Sequence, residues 1–381
     1  MTRDRIGIYR NQLFLPSETF IASQALALNK FEPIFIGRTA AGQVPTGAIT
    51  ATMDSIRGFS AQVLFALALD CRTIVSKLRG AGICLIHAHF GPDALYAMQI
   101  ANSLGVPLIT TFHGFDAGLN RWEMLVSGKY SWARYALYRE RLKSAGSLFL
   151  CVSESIRAQL LKNEFPPSKV ITHYIGVDTD LFRNDLGAAK QQGLILHVAR
   201  LVEKKGTEFL IEAVHELKAR SISCQLVIVG DGPRRRRLEE LTRKRGIESL
   251  VKFVGVQPHA TVRDLLTRAE IFCLPSVTGS RGDIEGLPIS LLEAGAMSVP
   301  VVTTRHSGNV EAVVDGVTGY IVKERNVNML TDRLQLLLTD VNKRRAMGEA
   351  GRRLMCSEFN LNIQTNRLEA LYSRVLNRSC Q

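Results

Sequence analysis

Short hydrophobic runs alternate along the chain with longer amphipathic stretches, a pattern typical of parallel sheets flanked by helices. In the first half each run is apolar throughout, as strands buried on both faces are. These runs predict strands over residues 5–9, 33–36, 83–87, 107–111 and 148–152, with helices over 61–78 and 93–104 between them. The first half is therefore predicted to form a parallel α/β sheet.

The second half repeats the pattern. Its apolar runs predict strands over residues 194–198, 226–229, 251–254, 271–274, 299–302 and 320–322. A polar, turn-rich stretch over residues 176–192 separates the halves and places a domain boundary near residue 185. The predicted organisation is an N-terminal domain over 1–185, a C-terminal domain over 186–356, and a final apolar helical segment over 357–381 that must pack on another element.

The length and net charge of the chain restrict the classes of function that it can have. The 381 residues are 46% hydrophobic, which is enough for two cores and excludes disorder as the main state. The 48 Lys and Arg exceed the 35 Asp and Glu, giving a formal charge of +13, so an anionic partner is expected: nucleic acid, a phosphorylated ligand or an acidic membrane face.

The seven cysteines are scattered without a C-x-x-C pair, so neither a disulfide framework nor a zinc site is indicated. The basic start lacks the apolar stretch of a signal peptide, and no apolar run is long enough to span a bilayer. We therefore expect a cytoplasmic location, without a membrane-spanning segment.

Two glutamates, Glu285 and Glu293, flank Gly286, Leu287 and Pro288. Proline favours the first helical position, so a helix is predicted to begin near Pro288 with unpaired backbone N–H groups that suit a diphosphate. Because carboxylates repel phosphate, each glutamate suits hydroxyl groups at the two ends of one ligand, which describes a nucleotide sugar. The alternative is that Glu285 only favours the helix dipole and Glu293 is exposed. The apolar neighbours of Glu293 favour the functional interpretation.

A basic loop leaves the first strand of the second half. It contains Arg200 and Lys205, followed by Gly206 and a predicted helix start near Thr207. Ligands of open parallel sheets bind where such loops leave the strands, and a diphosphate needs cations there. For this loop alone, simple exposure of the two basic side chains is an equally good interpretation.

Three histidines and an aspartate follow two neighbouring strands of the first half: His87, His89, His113 and Asp116. Their residue types are compatible with a metal site, but a buried histidine bonded to the backbone is the more usual outcome. Gly114 indicates close approach of another group to His113. We interpret His113 as facing the interdomain cleft and His87 as structural.

Several other motifs argue against particular classes of protein and do not themselves indicate a function. The segment 230–235 begins like a dinucleotide fingerprint, but Pro233 and Arg235 break it, so binding of a nicotinamide cofactor is disfavoured. P-loop and α/β-hydrolase motifs do not occur in the sequence. The arginines at 234–237 are better interpreted as an exposed helix face than as a phosphate clamp. Residues 121–143 are basic and aromatic, which suits a membrane interface, nucleic acid, or a core helix with a basic outer face.

The motifs together resemble the retaining glycosyltransferases of family GT4, which have the GT-B fold of two facing Rossmann-like domains with a cleft between them. The resemblance is most specific at 285–293, and is supported by residues 111–114, 176–182, 200–206, 229–233 and 308–311. Segments 17–21, 87–91, 113–116 and 282–288 resemble the exopolysaccharide enzymes of the colanic acid and amylovoran type. The resemblance also implies that the final helix crosses back to the first domain.

By this resemblance, Arg200, Lys205 and the backbone of Gly286 and Leu287 would hold the donor diphosphate. The remaining assignments are Glu285 for the sugar hydroxyls, Glu293 for the ribose, His113 for the transferred sugar, and Asp116 and Glu18 for the acceptor side. The implied reaction is transfer of a hexose from a nucleotide sugar to a saccharide or lipid-linked saccharide, without a metal or cofactor, at the inner face of an anionic membrane.

Three alternatives belong to other classes. A GT-B-like epimerase would bind a nucleotide sugar but need no acceptor. A basic nucleic-acid-binding protein would show affinity for oligonucleotides that falls steeply with salt. An NAD-dependent enzyme would have to bind NAD despite Arg235. The GT4 resemblance favours a glycosyltransferase without a nucleic-acid partner.

Overall fold

The computed structural model describes residues 3–53, 59–67, 70–118, 121–184 and 190–379. The chain divides into two compact units, Met1–Gly176 with Leu361–Gln381, and Val177–Asn360. The boundary predicted near residue 185 falls within 185–189, outside the described residues, and stays a prediction. Residues 177–184 group with the second unit. Val177 N–H donates to the Phe359 carbonyl (2.8 Å), and Arg352 donates to the Phe182 carbonyl (2.9 Å).

The first unit contains a parallel sheet with strand order β5-β3-β1-β6-β7-β8-β9, and a separate short pair of β2 with β4. All five strands predicted for this half are present. The short strands β2, β4, β5 and β9 were not predicted. The strands are β1 (Asp4–Tyr9), β2 (Gln12–Leu13), β3 (Phe31–Gly37), β4 (Thr39–Ala40), β5 (Ile49–Thr52), β6 (Ile83–His89), β7 (Leu108–Phe112), β8 (Leu148–Cys151) and β9 (Val170–Thr172).

The helices of this unit connect the strands and cover the sheet. The continuous helix predicted over 61–78 is wrong: two helices occupy this stretch, and the Asp70 carboxylate accepts the Arg72 N–H (2.8 Å) where the second begins. The helices are α1 (Thr19–Leu26), α2 (Phe59–Ala66), α3 (Arg72–Leu78), α4 (Gly91–Leu104), α5 (Phe115–Gly118), α6 (Arg121–Leu125), α7 (Tyr130–Ala145) and α8 (Glu154–Lys162), with a 3₁₀ turn at Pro167–Lys169.

The second unit contains a parallel sheet with strand order β12-β11-β10-β13-β14-β15. Its strands are β10 (Leu194–Val198), β11 (Gln225–Val229), β12 (Val251–Gly255), β13 (Ile271–Leu274), β14 (Val301–Thr304) and β15 (Gly319–Val322). All were predicted, although β14 begins and ends two residues later than expected. Its last residues, Thr303 and Thr304, donate hydroxyl hydrogen bonds to the carbonyls of Leu274 and Ser276, which ties β14 to the end of β13.

Helices pack on both sides of this sheet around a core that includes Leu196, Leu210, Ile228, Phe272 and Val302. They are α9 (Thr207–Ala219), α10 (Arg235–Lys244), α11 (His259–Arg268), α12 (Ile289–Ala296), α13 (Asn309–Ala312), α14 (Val327–Thr339) and α15 (Val341–Glu358), with a 3₁₀ turn at Glu203–Lys205. In each unit the strand order reverses direction at one place, between β1 and β6 in the first unit and between β10 and β13 in the second.

The final helix, α16 (Leu361–Ser379), belongs to the first unit, as the family resemblance implied. Its Tyr372 hydroxyl lies 2.6 Å from His87 Nδ1, and Glu369 accepts the backbone N–H groups of Asn29 (2.7 Å) and Lys30 (2.6 Å). The apolar residues Leu368, Tyr372 and Val375 of this helix are buried in the core of the first unit. None of the helices in the described ranges has the length and apolarity needed to cross a bilayer.

Candidate functional site

The point at which the strand order of the second sheet reverses brings two loops together. The first loop follows β10 and covers residues 199–206, and the second follows β13 and covers residues 275–288. Loops at such a point diverge and leave a crevice at the carboxyl ends of the strands, which is where ligands of open α/β sheets bind. Of the residues predicted to bind the donor, Arg200, Lys205 and Glu285 lie on these loops.

Gly206 brings the two loops into direct contact. Its φ is +62°, and a Cβ there would lie 1.9 Å from the Pro275 carbonyl oxygen, so only glycine fits. Two residues earlier, the Lys204 carbonyl accepts the Val277 N–H (2.8 Å). The Lys204 Nζ also donates to the Ile284 carbonyl (2.9 Å) and to Asp283 (3.1 Å). The basic loop therefore supports the loop that carries Glu285.

Glu285 is the buried centre of a partly buried ion cluster. Its Oε2 accepts a hydrogen bond from Lys205 Nζ (2.8 Å), and its Oε1 lies 4.0 Å from Lys204 Nζ. Burial alone would raise the pKa of Glu285, but the positive charges of Lys205 and Lys204 outweigh it and hold the pKa below its ordinary value of 4.5. Glu285 is therefore ionised at neutral pH, while its buried Oε1 accepts no hydrogen bond from any residue that the structure describes.

Lys204 was not among the predicted site residues. Burial would lower its pKa, but Glu285 and Asp283 outweigh burial and raise it, so the ammonium group stays charged. Arg200, by contrast, is exposed and projects from the start of the same loop. Because Lys204 stands directly beside Lys205 in the sequence, its presence near the site could have been predicted. Which of the two lysines bonds Glu285 could not.

Helix α12 begins at Ile289, next to the start predicted near Pro288, and Pro288 is its N-terminal cap rather than its first helical residue. Leu291 N–H bonds to the Pro288 carbonyl (3.1 Å). Within the described ranges, the backbone N–H groups of Gly286, Leu287, Ile289 and Ser290 donate to no protein acceptor. The N-terminus of α12 thus offers several free donors directly after Glu285, the arrangement that binds anions.

Glu293 lies in the second turn of α12 and is 5% exposed. Burial raises its pKa to about 7. The half-exposed His259 lies nearby, with its Nδ1 3.8 Å from Glu293 Oε1, but burial lowers the pKa of that histidine, so its ring is mostly neutral at pH 7. The apolar residues around Glu293 in the sequence correctly predicted that its carboxylate is buried.

Two further residues, His306 and Glu324, contact the Glu285 loop and were missed by the sequence analysis. His306 Nε2 accepts the Glu285 N–H (3.1 Å), and His306 Nδ1 lies 2.6 Å from Glu324 Oε1. Ser307 donates its hydroxyl hydrogen to the Glu285 carbonyl (2.6 Å). Only the neighbouring segment 308–311 had been noted in the sequence, for its family resemblance.

In the first unit, His113 lies in a stack of imidazole rings. Its Nε2 is 3.0 Å from His89 Nδ1, and the His89 ring stacks in turn on His87 with centroids 4.5 Å apart. Burial, followed by the nearby charge of Arg10, holds the pKa of His113 well below 6.5, so the ring is neutral at pH 7. His87 is bonded through both nitrogens, to Tyr372 and to Thr111 (2.7 Å), consistent with its structural interpretation.

The contacts of Asp116 are to the backbone. Its carboxylate accepts the N–H groups of Gly91 (2.9 Å), His113 (3.1 Å) and Gly114 (3.0 Å), and burial, partly opposed by these bonds, raises its pKa to about 6. Asp116 thereby orients the loop that carries His113. The acceptor-side role of Asp116 and the sugar contact of His113 stay predictions.

Glu18, the other predicted acceptor-side residue, is paired with Arg10, which the sequence analysis missed. Arg10 donates from Nε (2.7 Å) and Nη2 (2.9 Å) to the two oxygens of Glu18, and from Nη1 to Asp93. These residues lie where the strand order of the first sheet reverses, because Arg10 follows β1 and Asp93 lies in the first turn of α4 after β6. The acceptor contact of Glu18 stays a prediction.

Two of the four arginines at 234–237 form pairs along α10: Arg235 with Glu239 (2.8 Å) and Arg236 with Glu240 (3.1 Å), each at i,i+4 spacing. This agrees with an exposed helix face. Arg234, at the N-terminal cap, pairs instead with Glu208 of α9 (2.6 Å). Among the residues that the structure describes, no group of three or more His, Cys, Asp or Glu side chains is arranged to hold a metal ion.

Comparison with known proteins identifies the family of this chain. The family model described as "Glycosyl transferases group 1" matches residues 178–354, and the model "Glycosyltransferase Family 4" matches residues 22–181. The putative colanic acid biosynthesis glycosyltransferase WcaL of Salmonella typhimurium is 36% identical over 65% of this chain, and the chain spans 59% of the length of that relative. The amylovoran biosynthesis glycosyltransferase AmsK of Erwinia amylovora is 32% identical over 75% of this chain and 69% of its own.

Solved structures show the same fold. A glycosyltransferase from Rickettsia africae superposes with a TM-score of 0.77 at 18% identity, covering 99% of each chain. The complex of Anabaena HepE with UDP-glucose superposes with a TM-score of 0.77 at 16% identity, covering 97% of this chain and 99% of that one. The GT-B class predicted from the sequence is confirmed, and the chain belongs to glycosyltransferase family 4.

Proposed function

We propose that this protein transfers a hexose, with retention of anomeric configuration, from a nucleotide sugar to a saccharide or lipid-linked saccharide acceptor. The observation that carries the proposal is the partly buried cluster of Glu285, Lys204 and Lys205 beside the free N–H groups of the α12 N-terminus. The relatives named for colanic acid and amylovoran biosynthesis support a role in making an exopolysaccharide or another cell-surface polysaccharide.

The cluster suits departure of a nucleoside diphosphate. When the bond between sugar and phosphate breaks, negative charge grows on the diphosphate. Cations and helix N–H groups that are already fixed in place then stabilise the transition state more than the ground state. Lys205, the exposed Arg200 and the backbone of Gly286 and Leu287 provide this positive potential. We propose that they serve in place of a metal ion, and that no cofactor takes part.

The two glutamates provide the hydroxyl contacts at either end of the donor. Glu285 Oε1 is buried and ionised, and none of the described parts of the chain donates a hydrogen bond to it, so a sugar hydroxyl group is the partner it lacks. Glu293 lies farther along α12, where its carboxylate suits the ribose hydroxyls. The UDP-glucose complex of HepE, which has the same fold, supports a nucleotide sugar as the donor.

A thermal-shift panel tests the proposal. UDP, GDP, UDP-glucose, UDP-galactose and GDP-mannose are compared with NAD and a single-stranded oligonucleotide. A nucleotide sugar present at 100 times its Kd stabilises the folded protein by about 2.7 kcal/mol, so we expect Tm to rise by several degrees.

A rise in Tm with NAD or the oligonucleotide alone would contradict the proposal. The ligand that does bind is then incubated with and without saccharide acceptors. An isomerised sugar formed without an acceptor would indicate the epimerase instead.

We further propose that the protein acts in the cytoplasm at the inner face of an anionic membrane. In the first unit, α6, the residue that follows it and the first residue of α7 present large apolar side chains to solvent: Trp122 is 71%, Val126 60% and Tyr130 52% exposed. The exposed cations Arg121 and Lys129 flank them. Amphipathic aromatic rings beside basic residues suit the headgroup region of an anionic bilayer.

Vesicle co-sedimentation tests this surface. We expect binding to vesicles that contain phosphatidylglycerol, weakening with salt, and little binding to pure phosphatidylcholine. One basic residue near an anionic surface contributes about 1 kcal/mol, so Lys129→Ala is expected to weaken binding roughly fivefold, and Trp122→Ser is also expected to weaken it. Val256→Ser, at an exposed valine of the second unit, is the matched control. Equal binding of all variants would exclude this surface.

A further inference from the structure

The loop that carries Glu285 has no regular secondary structure between the end of β13 at Leu274 and the start of α12 at Ile289. Its conformation therefore depends on bonds from other segments. Two consecutive residues after β14 hold the main chain of Glu285 on both sides: His306 accepts its N–H, and Ser307 donates to its carbonyl. The direction in which the Glu285 side chain leaves the backbone is set by these contacts.

The chemistry of the partners determines the protonation of His306. The Glu285 backbone nitrogen can only donate, so His306 Nε2 must be the acceptor and carry no proton. The proton of the neutral ring is then on Nδ1, where it is donated to Glu324 Oε1 at 2.6 Å. His306 is 2% exposed at its side chain, so water does not compete for either nitrogen.

Glu324 orients the ring and also holds the beginning of the same loop. Its Oε2 accepts the Thr278 N–H (2.9 Å), and Oε1 accepts the Thr278 hydroxyl (3.3 Å). Burial would raise the pKa of Glu324, but the bonds from Thr278 and His306 lower it, so the carboxylate is ionised. One carboxylate thus links the loop at Thr278 directly and at Glu285 through His306.

We infer that His306, oriented by Glu324, is a positioning residue that holds the Glu285 carboxylate against Lys205 and leaves its second oxygen free for a hydroxyl of the donor sugar. This inference rests on the proposed function. It assigns to His306 no contact with the substrate. Its effect passes through the Glu285 peptide group, and loss of the Nε2 acceptor leaves that buried N–H unpaired and the carboxylate free to turn.

Two substitutions each preserve one half of the imidazole. His306→Gln places an amide oxygen near the position of Nε2 and keeps the acceptor for Glu285, whereas His306→Asn places an amide N–H near Nδ1 and keeps only the donor for Glu324. We expect His306→Asn to raise the donor Kd and KM roughly 10- to 100-fold, as for a buried group left unpaired. His306→Gln is expected to stay within a few-fold of wild type, and Glu324→Gln to fall between them.

The experiment measures UDP-sugar or GDP-sugar binding by calorimetry together with kcat and KM, and the Tm of each variant reports folding. His215→Asn and His215→Gln, on α9 and outside the hydrogen bonds of the site, are the matched controls. A purely structural role would lower Tm equally in both His306 variants without the difference in donor affinity. Equal donor affinity of folded His306→Asn and His306→Gln would overturn the inference.

Imidazole ¹⁵N NMR separates this inference from the proposed function. In the wild-type protein we expect one histidine, absent from the His306→Gln spectrum, with a protonated Nδ1 and an unprotonated Nε2, and we expect Glu324→Gln to weaken the Nδ1 hydrogen bond. The opposite tautomer would overturn the inference whatever the protein binds. If the predicted tautomer is found but no nucleotide sugar binds, the proposed function fails while the contact with Glu285 stands.

Discussion

Replacing Glu285 by glutamine is expected to lower kcat/KM for sugar transfer roughly 10²- to 10³-fold, the effect of losing one preorganised electrostatic contact in an active site. Glutamine keeps the shape of the side chain, but it removes the charge that holds Lys205 in place and presents only one acceptor oxygen. Because the pKa of Glu285 lies below its ordinary value, the loss should be the same from pH 6 to pH 8. Transfer from a labelled nucleotide sugar measures it.

Two further variants serve as controls for Glu285→Gln. Glu240→Gln removes an exposed i,i+4 pair on α10 and should leave transfer unchanged. Lys205→Ala should reproduce the loss, because it removes the cation that faces the departing diphosphate. Both site variants unpair a buried charge and are expected to lower Tm, so each is assayed below its own Tm. Wild-type activity in folded Glu285→Gln or Lys205→Ala would refute the assignment of the site.

Replacing Glu293 by glutamine is expected to stabilise the protein at pH 8 and to change little at pH 4. Burial raises the pKa of Glu293 to about 7, above the 4.5 of the unfolded chain. The stability that the protonated form contributes is therefore fully present below pH 4.5 and is lost as the pH rises through 7. At about 1.4 kcal/mol per pH unit, this amounts to roughly 3 kcal/mol at pH 8, and glutamine cannot ionise.

Thermal unfolding at pH 4, 6 and 8 measures this effect. His259→Gln is the matched control, because His259 is the titratable side chain recorded nearest to Glu293. If the carboxylate binds ribose hydroxyls, wild-type donor affinity should also rise with pH through 7, and the affinity of Glu293→Gln should be weaker and independent of pH. A Tm difference between Glu293→Gln and wild type that does not vary with pH would contradict the raised pKa.

The fold was predictable because its signals are local. Strands buried on both faces leave continuous apolar runs, so each of the main strands from β1 to β15 was visible without a partner being known. The break between α2 and α3 was missed because the apolar pattern continues across it. The short strand β5 was missed as well, since Ile49–Thr52 is half polar and is recognisable as a strand only from its pairing with β3.

The candidate site was partly predictable for the same reason. Pro288 marked the start of α12, and the apolar neighbours of Glu293 indicated that it is buried. His306 and Glu324 carried no such signal. His306 bonds Glu285 from 21 residues away along the chain, and Glu324 bonds Thr278 from 46 residues away. These hydrogen bonds exist only when β13, β14 and β15 are adjacent.

The order of apolar runs, the glycine and proline positions and the spacing of the two glutamates are properties of the chain alone, and they were enough to predict the fold class, the family and a candidate site. The partners of each charged group depend on distances between segments remote in sequence. Only the tertiary structure decided that Lys205 rather than Lys204 bonds Glu285, that Arg10 binds Glu18, and that Asp116 binds the backbone. Hydrophobic patterns report burial residue by residue, whereas ion pairs and hydrogen bonds require two groups to meet within about 3 Å, which folding alone brings about.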